Sequence, residues 1–276
     1  MSIPSSILLG IIQGATEFLP VSSSGHLVIS SVLLGKTPSL SFTVLLHLAT
    51  LLAVCVYFYK DIVDILKNLF LGFWQIAVKR QPFHAIYHSN TYFKMAWLLL
   101  LGSVFTALVG FPLRNYVAEC FKSTLAVGMF LIFTAVIIVL AEWVSRGKRL
   151  SPQMNFWDAM AVGIAQGIAV FPGISRAGAC VSASLARGLD RKLAARFSFL
   201  ISIPVIFGSG LIELKNLMAM GSSINGFLEL LAGFVAAFIS GFLAIKVFMN
   251  IIQRMSIRIF AYYCLIVGII VIIWSL

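Results

Sequence analysis

Long apolar stretches recur along this chain, each close to the length that crosses a bilayer. A transmembrane helix needs about 20 mostly apolar residues, and six stretches meet that requirement: residues 40–59, 95–113, 124–144, 197–214, 226–248 and 259–276. With 61% hydrophobic and 11% charged residues, the chain carries more apolar surface than a single water-soluble core of 276 residues can bury. The runs are continuous rather than alternating, which argues against a transmembrane β-barrel. The sequence therefore predicts an all-α polytopic membrane protein.

Two further apolar segments, about 5–35 and 154–190, are interrupted by residues that break helices. The first contains Glu-Phe-Leu-Pro-Val-Ser-Ser-Ser at 17–24, and the second contains Phe-Pro-Gly-Ile-Ser-Arg at 171–176. Proline and glycine in mid-segment free backbone groups that lipid does not satisfy, so such breaks are tolerated where they line a cavity in the protein. Both segments are predicted to be re-entrant helical hairpins.

The two interrupted segments are related in sequence. Residues 10–25 (GIIQGATEFLPVSSSG) and 163–178 (GIAQGIAVFPGISRAG) share seven of sixteen residues without a gap, at an offset of 153. Each copy precedes three predicted spans, and because three is odd, the two halves insert with opposite orientation. The chain is therefore predicted to be an inverted repeat of two halves, about 1–150 and 151–276, each a broken re-entrant hairpin plus three transmembrane helices. In proteins of this plan the broken helices form the site near the midplane.

The distribution of Lys and Arg gives an orientation for these spans. Placing the segment 60–94 in the cytoplasm, as a long loop, brings 15 of the 20 basic residues to that side, as the positive-inside rule requires. Both termini then face outward, the first hairpin enters from outside and the second from the cytoplasm. The net charge of +11 is thereby explained as a topology signal, and no nucleic-acid partner is expected.

One acidic and one basic residue lie inside the broken segments. Glu17 is the only one of nine acidic residues away from the ends of these segments, since Asp158 and Asp190 lie at the ends of the second, and Arg176 is its cationic counterpart in the second copy. An ionisable group at membrane depth costs about 2.5–3.5 kcal/mol unless it is paired or hydrated, so the two are expected to share a polar cavity. The alternative is a structural ion pair that locks the two halves together.

The residues around these charges point to an anionic ligand. Gln13 lies one helical turn before Glu17, and a serine cluster with glycine follows Pro20. Hydroxyls and backbone amides at the start of a helix bind anions, phosphate above all, although Ser-Ser-Ser-Gly alone is equally a helix cap. The guanidinium of Arg176 matches two phosphate oxygens at once. The expected phosphate-binding set is Gln13, Ser22, Ser24, Gly25, Gly173, Ser175, Arg176 and Gly178.

The two broken segments also contain four candidate catalytic groups: Glu17, Ser23, His26 and Arg176. Ser23 is the candidate nucleophile, activated by His26 or by Glu17. In a rival mechanism Glu17 and a divalent cation activate water. Because one carboxylate is too few to hold a cation, substrate phosphates would have to supply further ligands.

Two motifs carry a resemblance to a known family. Gln13-Gly-Ala-Thr-Glu17-Phe-Leu-Pro-Val-Ser-Ser-Ser-Gly-His26 and Pro172-Gly-Ile-Ser-Arg176 resemble the signature regions of the bacterial undecaprenyl-diphosphate phosphatase family, also called the bacitracin-resistance family. The resemblance spans the whole chain and includes Phe197-Ser198-Phe199-Leu200 and Pro204. It places the family's functional residues on Gln13, Glu17, Ser22, Ser23, His26, Ser175 and Arg176.

The resemblance implies an activity and a location. Such enzymes remove one phosphate from undecaprenyl diphosphate at the outer face of the bacterial plasma (inner) membrane, which recycles the carrier lipid for cell-wall synthesis and confers bacitracin resistance. It also implies a divalent cation, Mg²⁺ or Ca²⁺. The expected partners are the lipid diphosphate and the surrounding membrane lipids, and a homo-oligomer is allowed for.

Two positions depart from the family signature, which usually continues Ser-Gly-x-Thr. Here Ala177 and Cys180 replace the serine and the threonine, so a degenerate paralogue of the phosphatase is one alternative. A transporter or flippase for a prenyl phosphate is another, because inverted repeats with broken helices are also a transporter plan.

Overall fold

The computed structural model describes residues 2–35, 39–145, 147–219 and 226–276. Lys36 and Arg146, two of the basic residues counted in the predicted loops, lie outside these ranges. Within the described ranges the chain forms twelve α-helices, one 3-10 turn at Ser151–Gln153 and no β-strand. The helices are α1 (Ile3–Phe18), α2 (Ser23–Leu33), α3 (Leu40–Tyr57), α4 (Tyr59–Ala77), α5 (Phe83–Ser89), α6 (Thr91–Cys120), α7 (Thr124–Val144), α8 (Phe156–Ile168), α9 (Arg176–Ala186), α10 (Arg191–Ala219), α11 (Phe227–Arg254) and α12 (Arg258–Ser275).

The predicted spans all coincide with helices. Five of the described helices are long and apolar enough to cross a membrane, namely α6, α7, α10, α11 and α12. A sixth candidate is the bent pair Phe42–Tyr57 and Tyr59–Ala77, whose two parts meet at 78°. The chain is thus a polytopic α-helical membrane protein, and several helices extend beyond the predicted spans, α6 and α10 by the most.

The prediction of a long loop over residues 60–94 is wrong. This segment holds most of α4, all of α5 and the start of α6. Lysines and aspartates lower its hydropathy, but its apolar residues recur at helical spacing, with Ile65 and Gly72 buried and Gly72 against Phe93 of α6. A second apolar stripe is exposed and contains Val63, Leu66 and Phe70. α4 is therefore an amphipathic helix that leaves the direction of α3 at a sharp bend.

Corresponding helices of the two halves begin at the offset found in the sequence. α1 and α8 start 153 residues apart, and α2 and α9 match at both ends at the same offset. Each interrupted segment is a pair of helices joined by a short turn, so the predicted broken hairpins are confirmed. Three long helices follow each hairpin: α3, α6 and α7 in the first half, and α10, α11 and α12 in the second. α4 and α5 are an insertion in the first half.

Equivalent helices of the two halves run in opposite directions. α7 and α12 are antiparallel, because the Ser275 hydroxyl at the end of α12 lies 2.9 Å from that of Thr124 at the start of α7. α3 and α10 are also antiparallel, since Leu48 lies against Gly210 while Phe58 lies against Phe199 further back along α10. The two halves therefore form an inverted repeat.

The two halves also interlock. α1 packs most extensively on α11 of the second half, and its counterpart α8 packs in the same way on α6 of the first. A Cβ added at Gly10 would lie 2.4 Å from the carbonyl oxygen of Gly233, and one at Gly163 would lie 2.3 Å from that of Gly102. Such close backbone approach requires small residues. Each broken hairpin is consequently held in place by the opposite half.

Burial differs between the two hairpins. Eight of the eleven residues of α9 are buried, and this helix belongs to the main apolar core with Phe197 and Phe199 of α10. Only Gly25 and Leu27 are buried in α2. The second helix of the first hairpin is thus more accessible than that of the second hairpin.

Candidate active site

The first break places a carboxylate at the end of a helix. α1 stops at Phe18 because Leu19, which precedes Pro20, is extended. Glu17 lies in the last turn of α1, and the amide nitrogen of Gln13, one turn earlier, donates to Glu17 Oε2 at 2.9 Å. Both side chains are buried. The end of α1 therefore presents one oriented carboxylate inside the protein.

Ser22 forms the corner between α1 and α2. Its backbone has a φ of 68°, in the left-handed region, which costs a residue with a side chain about 1–3 kcal/mol. Its hydroxyl oxygen accepts two backbone N–H bonds, from Gly25 at 3.3 Å and from Gly173 of the second break at 3.1 Å. These bonds help to offset the strain and join the two breaks. Ser23, the first residue of α2, then donates its hydroxyl to Glu17 Oε2.

The second break brings a guanidinium to the same carboxylate. Ser175 caps α9 by accepting from the Gly178 amide at 3.0 Å, and Arg176 follows as the first residue of the helix. Its guanidinium forms an ion pair with Glu17 Oε1. The two charges predicted to lie together are thus in direct contact, as the alternative of a structural ion pair also requires, and a ligand site at this pair stays a prediction.

The Glu17 carboxylate has hydrogen-bond donors from both halves of the chain. It accepts from Arg176, Ser23 and Gln13. The Glu17 side chain is 2% exposed and that of Arg176 is 23% exposed. Arginine has five N–H donors, so its accessible part has donors for a ligand. A small pocket beside the ion pair is lined further by Phe18, Ala177, Ser198, Phe199 and Ser202.

Both ring nitrogens of His26 contact groups other than the Ser23 hydroxyl. Its Nδ1 lies 2.8 Å from the carbonyl oxygen of Ser22, and because a carbonyl only accepts, Nδ1 carries the proton. Nε2 then accepts from the hydroxyl of Tyr263 on α12 at 2.7 Å, and the two rings are stacked. Of the two groups proposed to activate Ser23, the geometry therefore favours Glu17. His26 is instead paired with a residue of the second half.

Four residues of the predicted phosphate-binding set are engaged inside the protein. The hydroxyl of Ser22 accepts from the amide of Gly25, and the hydroxyl of Ser175 accepts from the amide of Gly178. The first two amides of each helix, at Ser23 and Ser24 and at Arg176 and Ala177, have no intrahelical partner. Two helix N-termini with free amides thus meet at the ion pair, an arrangement that attracts anions. Phosphate binding by the set remains a prediction.

The second copy does not form an equivalent site. Val170 stands where the first copy has Glu17. Gln166, the counterpart of Gln13, is buried and donates to the Thr106 hydroxyl at 3.2 Å. Its oxygen accepts from the Cys180 thiol at 3.5 Å. The inverted repeat therefore supplies an asymmetric site with one carboxylate.

Comparison with known proteins fixes the family. A family model described as "Bacitracin resistance protein BacA" matches residues 6–270. The chain belongs to the BacA family. It is 42% identical to an undecaprenyl-diphosphatase of Methanosphaera stadtmanae, over all of this chain and 99% of that relative. It is also 39% identical to one of Halothermothrix orenii, over 99% of this chain and 98% of the relative. A protein of Shouchella clausii named undecaprenyl-diphosphatase 1 is 37% identical, over 100% and 97% of the two chains.

The two departures from the BacA-family signature differ in position. Ala177 lines the pocket beside Glu17 and Arg176. Cys180 is buried and faces Gln166 in the second half instead. A hydroxyl at position 177 would thus reach the pocket, whereas the Cys180 thiol is buried in a hydrogen bond to Gln166.

The cation expected for a BacA-family site is compatible with the residues present. No group of three or more His, Cys, Asp or Glu side chains gathers anywhere among the described residues, so the protein alone does not form a complete cation site. The side-chain oxygen of Gln13 is buried without a hydrogen-bond partner, next to Glu17. An amide oxygen and a carboxylate are ligands that Mg²⁺ and Ca²⁺ accept, with phosphate oxygens completing the shell.

Sequence reasoning missed several residues that surround this BacA-family site. They are Thr134 on α7, Ser198 and Ser202 on α10, and Tyr263 on α12. Thr134 is an isolated hydroxyl in an apolar helix, which was the available signal. Nothing in the sequence distinguished Tyr263 from its neighbour Tyr262. Only the antiparallel packing of the two halves brings these residues to the breaks.

Proposed function

We propose that this chain hydrolyses undecaprenyl diphosphate to undecaprenyl phosphate and inorganic phosphate, and so contributes to carrier-lipid recycling and bacitracin resistance. The observation that carries this is the joining of Glu17, Ser23 and Arg176 at two helix N-termini, in a chain of the BacA family. Full-length relatives about 40% identical are named undecaprenyl-diphosphatase, which supports the same reaction.

Substrate binding follows from the charges at the two breaks. Arg176 and the free amides of Ser23 and Ser24 would hold the diphosphate, whose negative charge the two helix dipoles also attract. The other residues of the predicted phosphate-binding set, among them Gln13, Gly25 and Ser175, would support the groups that contact the diphosphate. The undecaprenyl tail would extend between the helices into the bilayer, because only lipid or apolar side chains match it.

Ser23 is the proposed nucleophile. Its hydroxyl oxygen attacks the terminal phosphorus while its proton passes to Glu17 Oε2, which already accepts from it. The bond from that phosphorus to the bridging oxygen breaks, and undecaprenyl phosphate leaves as an anion. Glu17 then passes this proton to the departing phosphate, and its carboxylate takes a proton from the water that attacks the phosphoserine. The bond between phosphorus and Ser23 Oγ breaks, Ser23 Oγ takes the proton back from Glu17, and inorganic phosphate leaves. Arg176 stabilises the charge on the transferred phosphoryl group, which is the main catalytic task in such reactions. His26, the fourth predicted catalytic group, would contact the leaving phosphate.

We propose a divalent cation, Mg²⁺ or Ca²⁺, as cofactor. Gln13 through its free amide oxygen and Glu17 would hold it together with substrate phosphates. When bound, it would neutralise phosphate charge. In the rival route Glu17 and the cation activate a water molecule, which attacks the phosphorus directly. No phosphoserine forms on that route.

The location proposed is the plasma membrane, with the site and both termini facing outward. The support is the bias of Lys and Arg towards one side of the predicted spans. A homo-oligomer remains a prediction.

Transport of a prenyl phosphate is the second candidate function, favoured by one observation. The antiparallel arrangement of equivalent helices is the architecture of many transporters. The contact between Ser23 and Glu17 favours chemistry instead, because a binding site for an anion has no use for a carboxylate beside a hydroxyl.

The experiment that tests the proposal measures phosphate release from undecaprenyl diphosphate by the purified protein. Wild type is expected to release phosphate, and Arg176→Ala to lose more than about 100-fold in rate. Lys122→Gln, which removes an exposed cation paired with Glu119, is the matched control and keeps full activity. No release by wild type, or full release by Arg176→Ala, refutes the proposal. Movement of the monophosphate across vesicles without hydrolysis would identify a transporter.

A further inference from the structure

A buried hydroxyl on α7 holds the turn that precedes Arg176. Thr134 is fully buried. Its hydroxyl donates to the carbonyl oxygen of Gly173 at 2.9 Å and accepts from the amide of Ser175 at 3.0 Å. One side chain thus satisfies both a donor and an acceptor of the same turn, and Arg176 is the next residue along the chain.

The turn is pressed against the helix that carries Thr134. Gly173 has a φ of 103°, a conformation that suits glycine. A Cβ there would lie 2.5 Å from the carbonyl oxygen of Val127 and 2.7 Å from Cβ of Phe130, both on α7. The Gly173 amide donates to Ser22. The position of the turn is therefore set by the first half, although the turn belongs to the second.

The opposite turn has a weaker version of this contact. The thiol of Cys264 on α12 donates to the carbonyl oxygen of Pro20 at 3.4 Å, and Pro20 precedes Gly173 by 153 residues, the offset of the repeat. Thr134 and Cys264 thus occupy equivalent places in the two halves. A thiol is a weak donor, so the arginine turn is held more firmly than the serine turn.

We propose that Thr134 is a positioning residue of the hydrolase, which fixes the guanidinium of Arg176 against Glu17 and the substrate diphosphate through its two bonds to the Gly173–Ser175 turn. This rests on the proposed function. Small displacements of a charged group at a phosphoryl-transfer site have large effects on rate, because catalysis there depends on position and charge.

A purely structural role for Thr134 gives a different result from a positioning role. Loss of the hydroxyl would in either case leave a buried carbonyl and a buried amide unpaired. If the role is structural, the variant is less stable but its kcat is unchanged once folded. If the role is positioning, the folded variant is slower, and its effect depends on the residue at position 176.

The experiment compares four variants of the purified full-length chain. Thr134→Val is expected to lower kcat/KM roughly 10- to 100-fold, with both a higher KM and a lower kcat, and Thr134→Ser to recover most of the loss. Thr106→Val is the matched control: Thr106 is buried, and its hydroxyl donates to Gly102 at 2.9 Å and lies 3.1 Å from the Gly163 carbonyl. It should keep the wild-type kcat. If Thr134→Val does not fold, Thr134→Cys replaces it, with activity below that of Thr134→Ser.

Coupling to Arg176 is measured in an Arg176→Lys background. In that background Thr134→Val is expected to lower kcat/KM by less than about a further twofold, since the effects of two residues that act together are not additive. An equal loss in both backgrounds, a wild-type kcat for folded Thr134→Val, or the same loss in Thr106→Val would overturn the proposal.

A binding measurement separates this proposal from the proposed function. Methylene diphosphonate, which is not hydrolysed, should bind wild type more tightly than it binds Thr134→Val. If wild type binds it more tightly than Thr134→Val does but releases no phosphate from the lipid diphosphate, the proposed hydrolysis is wrong while the role of Thr134 in holding the site is supported. If wild type hydrolyses the lipid and the affinities are equal, the Thr134 proposal is wrong.

Discussion

Glu17 and Arg176 form an ion pair although 159 residues separate them in the chain. Each stands at a break in a broken hairpin, and each hairpin is packed against helices of the opposite half. The pair is almost buried on the carboxylate side and partly open on the guanidinium side. The inversion of the two halves thus has a direct chemical consequence, because it brings a carboxylate and a guanidinium to one point.

Replacement of Ser23 tests which hydroxyl is the nucleophile. Ser23→Ala is expected to abolish phosphate release and to remove ³²P labelling of the protein by substrate labelled in the terminal phosphate. Ser24→Ala, the neighbouring residue whose hydroxyl lies near Ser22, should keep most of both. Retained release by Ser23→Ala would favour water activated by Glu17.

Tyr263 is expected to act through His26. Tyr263→Phe removes the donor to Nε2 and frees the histidine ring to turn, so kcat/KM should fall roughly three- to tenfold, about the value of one hydrogen bond. Tyr262→Phe is the matched control, because Tyr262 is adjacent and 59% exposed. Steady-state kinetics on both variants decide the matter, and equal rates would show that the Tyr263 contact has no catalytic role.

Much of the architecture could be predicted because hydropathy and the internal repeat are properties of the chain itself. The offset of 153 fixed the equivalence of α2 and α9, and the odd number of spans predicted the inversion. The helix α4 was not predicted, because its charged residues, Asp61 and Asp64 among them, mask an amphipathic pattern when hydropathy is averaged.

Some residues of the candidate site could likewise be predicted from the sequence, and others could not. Glu17 and Arg176 were predictable because ionisable groups within a membrane span are rare and costly. Whether Glu17 or His26 faces Ser23 depends on the geometry at Ser22, with its left-handed backbone. Residues such as Thr134 and Tyr263 reach the breaks only through packing between distant helices, which local sequence does not encode.

A second ion-pair cluster is expected to govern stability rather than activity. Asp158 is fully buried and pairs with Arg149 at 2.8 Å and Arg187 at 2.9 Å, which joins the start of α8 to the end of α9. Asp158→Asn leaves two cations without a counter-ion and should cost about 2–3 kcal/mol, less than for a fully buried pair because the arginines are partly exposed.

Thermal unfolding measures this effect. Tm of Asp158→Asn should fall by several degrees, with phosphate release by the folded protein unchanged. Glu119→Gln, which removes an exposed partner of Lys122, should leave Tm unchanged. An unaltered Tm for Asp158→Asn would contradict the structural role.

The two departures from the family signature are expected to have unequal effects. Cys180→Thr should change phosphate release little, because the side chain at 180 is buried and its polar group is already bonded to Gln166. Ala177→Ser adds a hydroxyl in the pocket beside Arg176 and should lower KM by a few-fold, about one added hydrogen bond. A sharp rise in kcat for either variant in the same assay would instead indicate a degenerate enzyme.

The measurement that tests the central claim most directly is a double-mutant cycle on phosphate release from undecaprenyl diphosphate, with Glu17→Gln, Arg176→Ala and both together. Because the two side chains act as one unit, each single change should cost more than about 100-fold, and the double variant should be no slower than the slower single variant. Losses that multiply in the double variant, or singles that keep wild-type rates, would contradict a shared site at the junction of the two halves.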